Sequence, residues 1–172
     1  MDLLFIFEWL DTSLLAEISK SSAGIFAMVQ TVHIASMVML VGMLLLGDLR
    51  MMNVLLTNVP SKVVIDNTQK WIYLALVFII LSGIYEASAI AMKLAHNSFF
   101  FAKMAGLSMG IVFFLTIRSA VYRRAPDAAH EQEVTTHQPS DALPSWSIKL
   151  VAVANLLIWF SVAASGRWIG FS

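Results

Sequence analysis

Four ionisable side chains lie inside long apolar stretches of this sequence. They are His33, Glu86, Lys103 and Arg167, and each belongs to a different stretch. An ionisable residue at the centre of a membrane helix costs about 2.5–3.5 kcal/mol on insertion scales, so such residues mark functional sites. Counted along four helices, these side chains reach a similar depth. We therefore predict one polar site formed by all four.

His33 offers the widest chemistry. Its imidazole can bond to a neighbouring helix, ligate a haem iron or metal, or relay protons to a substrate. Gln30 and Met37 share its helix face at spacings of three and four. A b-type haem in a helical bundle often has two histidine ligands, and no other apolar stretch contains one. Either the iron is ligated by His33 and a second group such as Met37 or Lys103, or no haem is bound. Zinc is less favoured, because two cations and one carboxylate accompany the histidine.

Glu86 and Lys103 are predicted to form an ion pair. Each lies roughly 9 Å from the turn that joins their helices, and pairing compensates charges that are removed from water. The pair either locks the helical hairpin or lines a polar cavity. Arg167 either extends to the outer interface beside Trp168 or faces inward and binds an anion.

Composition places these residues in a membrane protein. The chain is 59% hydrophobic and 13% charged, whereas soluble domains are about 45–50% apolar and about 25% charged. The apolar residues form blocks of roughly 20, enough for a helix to cross a hydrocarbon core about 30 Å thick. We predict an all-α integral membrane four-helix bundle with spans near residues 24–47, 71–92, 98–118 and 148–169.

The remaining segments connect and orient these spans. Residues 1–20 mix apolar and acidic side chains, which predicts a short interfacial segment before a bundle of residues 21–172. Polar connections are expected at 53–70, 93–97 and 122–146. Lys and Arg near the two long connections outnumber those on the other side by seven to four. The longer connections are therefore predicted in the cytoplasm and both termini outside.

Several functions are disfavoured by composition. The net charge is zero, so no basic surface for nucleic acid is expected. Cysteine is absent, which excludes disulfides, thiolate metal sites and a cysteine nucleophile. No phosphate-binding glycine loop, nucleophile elbow or HExxH motif occurs. Whether the chain is an enzyme stays open at this point.

A resemblance to a known family is carried by the stretches TVHIASMVMLVGMLLLGDLRMMN, SGIYEA, NSFFFAKM and GRWIGF, and by the N-terminal FEWLDTSLLAEI. The chain resembles a family of bacterial four-span inner-membrane proteins of unknown function over nearly its whole length. That family usually has Asn-Pro where this chain has Asn97-Ser98. The resemblance implies the bacterial inner membrane, and the orientation above then puts both termini in the periplasm.

The chain is also distantly similar to haem-binding membrane protoporphyrinogen oxidases and copper-resistance D-type membrane proteins. The shared features are a histidine in the first span and a lysine early in the third. In the oxidases, residues at comparable places are required for function, which implies a haem or porphyrin site at His33 and Lys103. The further histidines and the arginine placement of the oxidases have no match here.

Two main hypotheses follow. In the first, the chain binds haem b or takes part in redox chemistry. His33 is then the axial ligand, Lys103 the second ligand or propionate partner, Arg167 an anion clamp, and Glu86 the charge that holds Lys103. In the second, the chain is a non-catalytic subunit or scaffold in the lipid bilayer that binds another membrane protein or a second copy of itself.

The second hypothesis rests on two surfaces. Gly106 and Gly110 form a GxxxG motif, which allows close helix approach. Asp48 and Arg50 end the first span, where they either make local hydrogen bonds and charge pairs or bind a cytoplasmic partner. A small-solute permease is the least favoured reading, because repeats and broken helices are missing.

Overall fold

The computed structural model of the chain describes residues 4–124 and 145–171, and every regular element within these ranges is helical. The helices are α1 Leu4–Asp11, α2 Leu14–Ser21, α3 Ala23–Met51, α4 Ser61–Ala89, α5 Ala91–Leu94, α6 Ser98–Phe113, α7 Ser119–Arg123 and α8 Ser145–Trp168. A π-helical turn, Phe114–Arg118, joins α6 to α7, and a 3-10 turn, Ile169–Phe171, follows α8. The predicted all-α class is confirmed.

Four of these helical segments are long and apolar enough to cross a membrane. We number them spans one to four: Ala23–Met51, Ser61–Ala89, Ser98–Arg123 and Trp146–Trp168. The shortest has 23 residues, about 34 Å at the helical rise, which exceeds a hydrocarbon core of about 30 Å. The chain is a multi-pass helical membrane protein.

Span two begins earlier than the sequence predicted. The helix starts at Ser61, so residues 61–70 of the predicted 53–70 connection are helical. Val64 and Thr68 are buried at a helical spacing, while Lys62 and Asp66 lie on the exposed face. This segment is an amphipathic helix, and the charged residues on its outer face lower its mean hydropathy, so the sequence pattern predicted a polar connection there.

The connection between spans two and three is short and capped. It contains α5, and the side-chain Oδ1 of Asn97 accepts hydrogen bonds from the backbone N–H groups of Phe99 at 3.0 Å and Phe100 at 3.1 Å. Such a cap provides an acceptor for backbone N–H groups of the first helical turn, which have no partner within the helix. Span three then runs to Arg123, beyond the predicted end at residue 118. Most of the predicted 122–146 connection lies outside the described residues.

The core of the bundle lies where the four spans meet. Leu44, Ile72, Ala75, Phe114 and Trp159 belong to one buried apolar cluster. Many large apolar side chains face outward instead, such as Met28, which is 73% exposed. Outward apolar faces are what a bilayer solvates, so this exposure agrees with the predicted membrane environment.

The GxxxG motif is used inside the chain. A Cβ added at Gly106 would lie 2.9 Å from Val162 Cγ2, and one at Gly110 would lie 3.2 Å from Ile158 Cγ2. The two glycines therefore let span three approach span four closely. This face, which the scaffold hypothesis assigned to a partner, is covered by the chain's own fourth span.

The N-terminal residues form two short helices at one end of the bundle. Phe7 of α1 is buried and packs with Ala91 and Leu94 of α5. Ser13 caps α2, since its Oγ accepts from the Ala16 N–H at 3.2 Å. The outer side of α1 is apolar and exposed, as expected for a helix at the interface. The division into residues 1–20 and 21–172 stays a prediction.

Candidate functional site

An apolar cavity of about 400 Å³ lies beneath α1, and all four spans contribute to its wall. Its wall is mostly aliphatic and aromatic, but it also contains His33, Glu86 and Lys103. Three of the four predicted site residues therefore meet at one place, one from each of three spans. An apolar pocket with a few convergent polar groups is the usual form of a small-molecule site.

His33 is held in one orientation by span two. The side chain is 5% exposed, and Nδ1 lies 2.8 Å from the Ser82 hydroxyl. That hydroxyl also bonds to the carbonyl of Phe78; with its one proton donated there it accepts from His33, which assigns the ring proton to Nδ1. The Ile79 carbonyl is a further acceptor beside the ring.

The other ring nitrogen of His33 is left available. No hydrogen bond from a described residue is found at Nε2. In a neutral imidazole with the proton on Nδ1, Nε2 carries the lone pair that binds a donor or a metal. A histidine oriented through its other nitrogen is the arrangement that metal sites use.

Gly83 of span two lies against the ring of His33. A Cβ at this position would lie 3.4 Å from His33 Cε1, at the near limit of van der Waals contact. Helical spacing does not connect this glycine with the histidine, because they belong to different spans. The two are 50 residues apart in the chain.

Glu86 and Lys103 interact electrostatically, but no direct ion pair joins them among the described residues. The expected ion pair is therefore not formed. Lys103 instead runs along span four, where a Cβ at Gly166 would lie 3.4–3.5 Å from its Cδ, Cε and Nζ atoms. The Oε1 atom of Glu86 is buried without a hydrogen-bond partner. Both side chains line the cavity, as in the predicted alternative in which this pair lines a polar cavity.

Arg167 does not join the other three. It is exposed, and its guanidinium lies over the ring of Phe171, 4.4 Å from the centroid. Neighbouring residues of a helix point about 100° apart. Because Gly166 lines the cavity, Arg167 faces away from it, as in the predicted interfacial reading.

The other proposed partners of His33 also lie elsewhere. Gln30 is exposed, and Met37 packs against the central apolar cluster instead of lining this cavity. No group of three or more metal-binding side chains is found within residues 4–124 and 145–171. His130 and His137 lie outside the described residues.

A second polar cluster surrounds Asp48, which is fully buried. Its Oδ1 accepts hydrogen bonds from Arg118 Nε at 2.9 Å and from the Tyr122 hydroxyl at 2.8 Å. Its Oδ2 accepts from Asn155 Nδ2 at 2.5 Å. The carboxylate thus holds spans one, three and four together.

The structure corrects the expectation that Asp48 and Arg50 make local contacts. Only Arg50 does so, donating through Nε to the Val59 carbonyl at 2.7 Å and through Nη1 to Asn53 Oδ1 at 2.8 Å. Both side chains are buried, so neither is accessible to a cytoplasmic partner.

Sequence reasoning missed the residues that bind Asp48. Arg118 and Tyr122 stand four apart near the end of span three, at the same level as the end of span one. Asn155 is a lone amide in an apolar stretch. The sequence thus contains these signals, but it does not show that the three side chains meet at Asp48.

The fold and the cavity define a class, a four-span helical membrane protein with a ligand-sized cavity between its helices. Residues 6–172 match the model of a family described as a family of unknown function (DUF6644), and the chain belongs to that family. No curated protein and no solved structure matched the chain. The distant similarity to haem-binding oxidases and copper-resistance proteins gains no support from these comparisons.

Proposed function

We propose that the cavity beneath α1 binds a lipophilic molecule from the bilayer that carries an anionic or hydrogen-bonding head group. The observation that carries this proposal is the oriented His33, whose Nε2 has no described hydrogen-bond partner in the wall of an apolar cavity. A volume of about 400 Å³ lies in the range of roughly 300–1,000 Å³ for ligand sites.

Each ionisable side chain has a distinct role in this proposal. The ammonium of Lys103 binds an anionic group of the ligand, such as a carboxylate. The Nε2 atom of His33 accepts a hydrogen bond or coordinates a metal, while Ser82 keeps the ring in place. Glu86 Oε1, buried and without a partner, accepts a hydrogen bond from a donor group of the ligand.

Haem b is the specific ligand that we propose to test first. The residues present suit one axial bond from His33 and one charge contact from Lys103 to a propionate. A bound haem would supply one-electron redox chemistry. The chain itself would orient the axial imidazole through Ser82 and exclude water with the apolar wall.

The test is an absorbance spectrum of the protein purified from membranes, together with metal analysis and mass spectrometry of its organic extract. We expect a Soret band that is lost in His33→Ala. His96→Ala is the matched control, because His96 is exposed and lies outside the cavity wall. Its spectrum should be unchanged.

The result separates haem from other ligands. An extract with a stoichiometric lipophilic molecule, no Soret band, and loss of that molecule in Lys103→Met would support the binding site but exclude haem. Protein with neither absorbance nor a bound molecule would overturn the proposal. Ser82→Ala gives an independent check, since it leaves His33 present but removes the hydroxyl that orients it.

The scaffold alternative has lost both surfaces on which it rested. The face formed by Gly106 and Gly110 is covered by span four, and Asp48 and Arg50 are buried. A membrane partner or a second copy would have to bind at the lipid-facing sides of the spans. No contact of the described residues favours such a partner over lipid.

We further propose that the chain lies in the bacterial inner membrane with both termini in the periplasm. The support is the excess of Lys and Arg near the longer connections. In this orientation the cavity with His33 opens toward the periplasmic half of the bilayer. The cluster around Asp48 lies toward the cytoplasm.

A further inference from the structure

A second cavity of about 410 Å³ lies at the opposite end of the bundle. It is bounded by the end of span one, the start of span two and the end of span three. Asp48, beside it, is 15 residues from His33 along span one, which is about 22 Å at the helical rise. The two cavities are therefore separate sites.

The wall of this second cavity is cationic. Among the described residues, it contains Lys62, Arg118 and Arg123 but only one carboxylate, that of Asp66. Asp48, behind the wall, neutralises Arg118, so the three basic groups and the two carboxylates leave an excess of one positive charge, which attracts an anion. The apolar cavity around His33 has no comparable excess of positive charge, since its wall contains one cation, Lys103, and one carboxylate, Glu86.

Arg118 lines this cavity and has one hydrogen-bond donor without a partner. The residue is 3% exposed, and its Nε donates to Asp48 Oδ1 at 2.9 Å. Its Nη2 is buried and has no hydrogen-bond partner. A buried guanidinium N–H without an acceptor is unfavourable, and native proteins usually satisfy such groups with water, an ion or a ligand.

The local backbone is built to place this guanidinium. The π-helical turn Phe114–Arg118 interrupts span three, and such turns occur often at functional sites. The guanidinium of Arg118 lies over the ring of Tyr122, 4.5 Å from the centroid. A Cβ at Gly47 would lie 2.9 Å from Arg118 Nη2, so the glycine gives the guanidinium room.

We propose that this second cavity binds the phosphate group of an anionic phospholipid. Its position at the ends of three spans puts it at the depth of lipid head groups, and basic pockets between membrane helices bind such head groups. Leu115 and Ile117 are exposed on span three near the cavity, so acyl chains have an apolar surface beside the site. Arginine is suited to the phosphate, since its planar fork binds two oxygens at once.

The test uses the delipidated full chain in a nonionic detergent, with lipid binding counted by native mass spectrometry. Phosphatidylglycerol is titrated against phosphatidylcholine with the same acyl chains, and inorganic phosphate is titrated alone. Arg118 is left intact in all arms, because its loss would leave Asp48 unpaired. Arg123→Gln is the test variant, and Arg124→Gln, one position on and outside the cavity wall, is the matched control.

We expect phosphatidylglycerol to bind at one site more tightly than phosphatidylcholine. Arg123→Gln should weaken this binding about fivefold, as one lost cation near a head group predicts, and Arg124→Gln should change it by less than about twofold. Equal binding of both lipids, or equal loss in both variants, would overturn the proposal. Binding of inorganic phosphate alone, without lipid, would overturn the assignment to a phospholipid.

Discussion

Replacing Asp48 by Asn tests whether the buried carboxylate holds three spans together. The substitution keeps the size of the side chain but removes the charge that pairs with Arg118 at 2.9 Å. It also replaces one of the two oxygens that together accept from Arg118, Tyr122 and Asn155. At least one buried donor then has no acceptor.

The expected loss in the free energy of unfolding is about 3–5 kcal/mol. This is the usual cost of removing one partner of a buried ion pair, because the remaining charge stays buried without compensation. The unsatisfied donor alone costs about 1–3 kcal/mol. Asp11→Asn is the matched control, because Asp11 forms a 2.8 Å ion pair with Lys20 at a partly exposed site. Its effect should stay within about 1 kcal/mol.

The assay is equilibrium unfolding in mixed micelles of SDS and a mild detergent, followed by helical circular dichroism. A double variant, Asp48→Asn with Arg118→Leu, should recover part of the lost stability, since it removes the uncompensated charge. Equal stability of Asp48→Asn and Asp11→Asn would refute the reasoning. Strict additivity in the double variant would show that Asp48 and Arg118 are not coupled.

Three further predictions concern packing, the cavity and topology. Gly106→Leu should destabilise the bundle by about 1–3 kcal/mol, because the larger side chain overpacks against span four. Gly42→Leu should be nearly neutral, because nothing lies within 4 Å of an added Cβ there. Equal effects of the two substitutions in SDS unfolding would contradict this prediction. Phe7→Ala should cost about 3 kcal/mol and admit an apolar fluorescent probe to the cavity beneath α1, and unchanged probe uptake would argue against α1 as its cover. The chain has no native cysteine, so single cysteines can report topology. A membrane-impermeant thiol reagent on intact cells should label His96→Cys but not Asn58→Cys. Labelling of both would contradict four spans, and the reverse pattern would contradict the orientation.

Much of the candidate site followed from the sequence because a helix rises by a fixed distance per residue. Counting from the turn between spans two and three put Glu86 and Lys103 at one depth, and counting along span one put His33 near them. The structure places these three side chains in the wall of one cavity. Apolar blocks of sufficient length likewise determined the helical class.

Other features could not be read from depth alone, because the direction in which a side chain points depends on how its helix is rotated. Lys103 lies along Gly166 and not against Glu86, since packing of spans three and four left space there. Arg167, one residue on, faces outward over Phe171. The number of residues between two positions does not determine that rotation.

The sequence by itself determined four apolar helices, the depth of the charged residues within them, and the excess of basic residues near the longer connections. Only the tertiary structure decided which of these residues meet. Asp48 binds side chains that lie 70, 74 and 107 positions further along the chain. Such contacts arise when apolar and small faces of different helices pack together, and that packing fixes the rotation of each helix about its own axis.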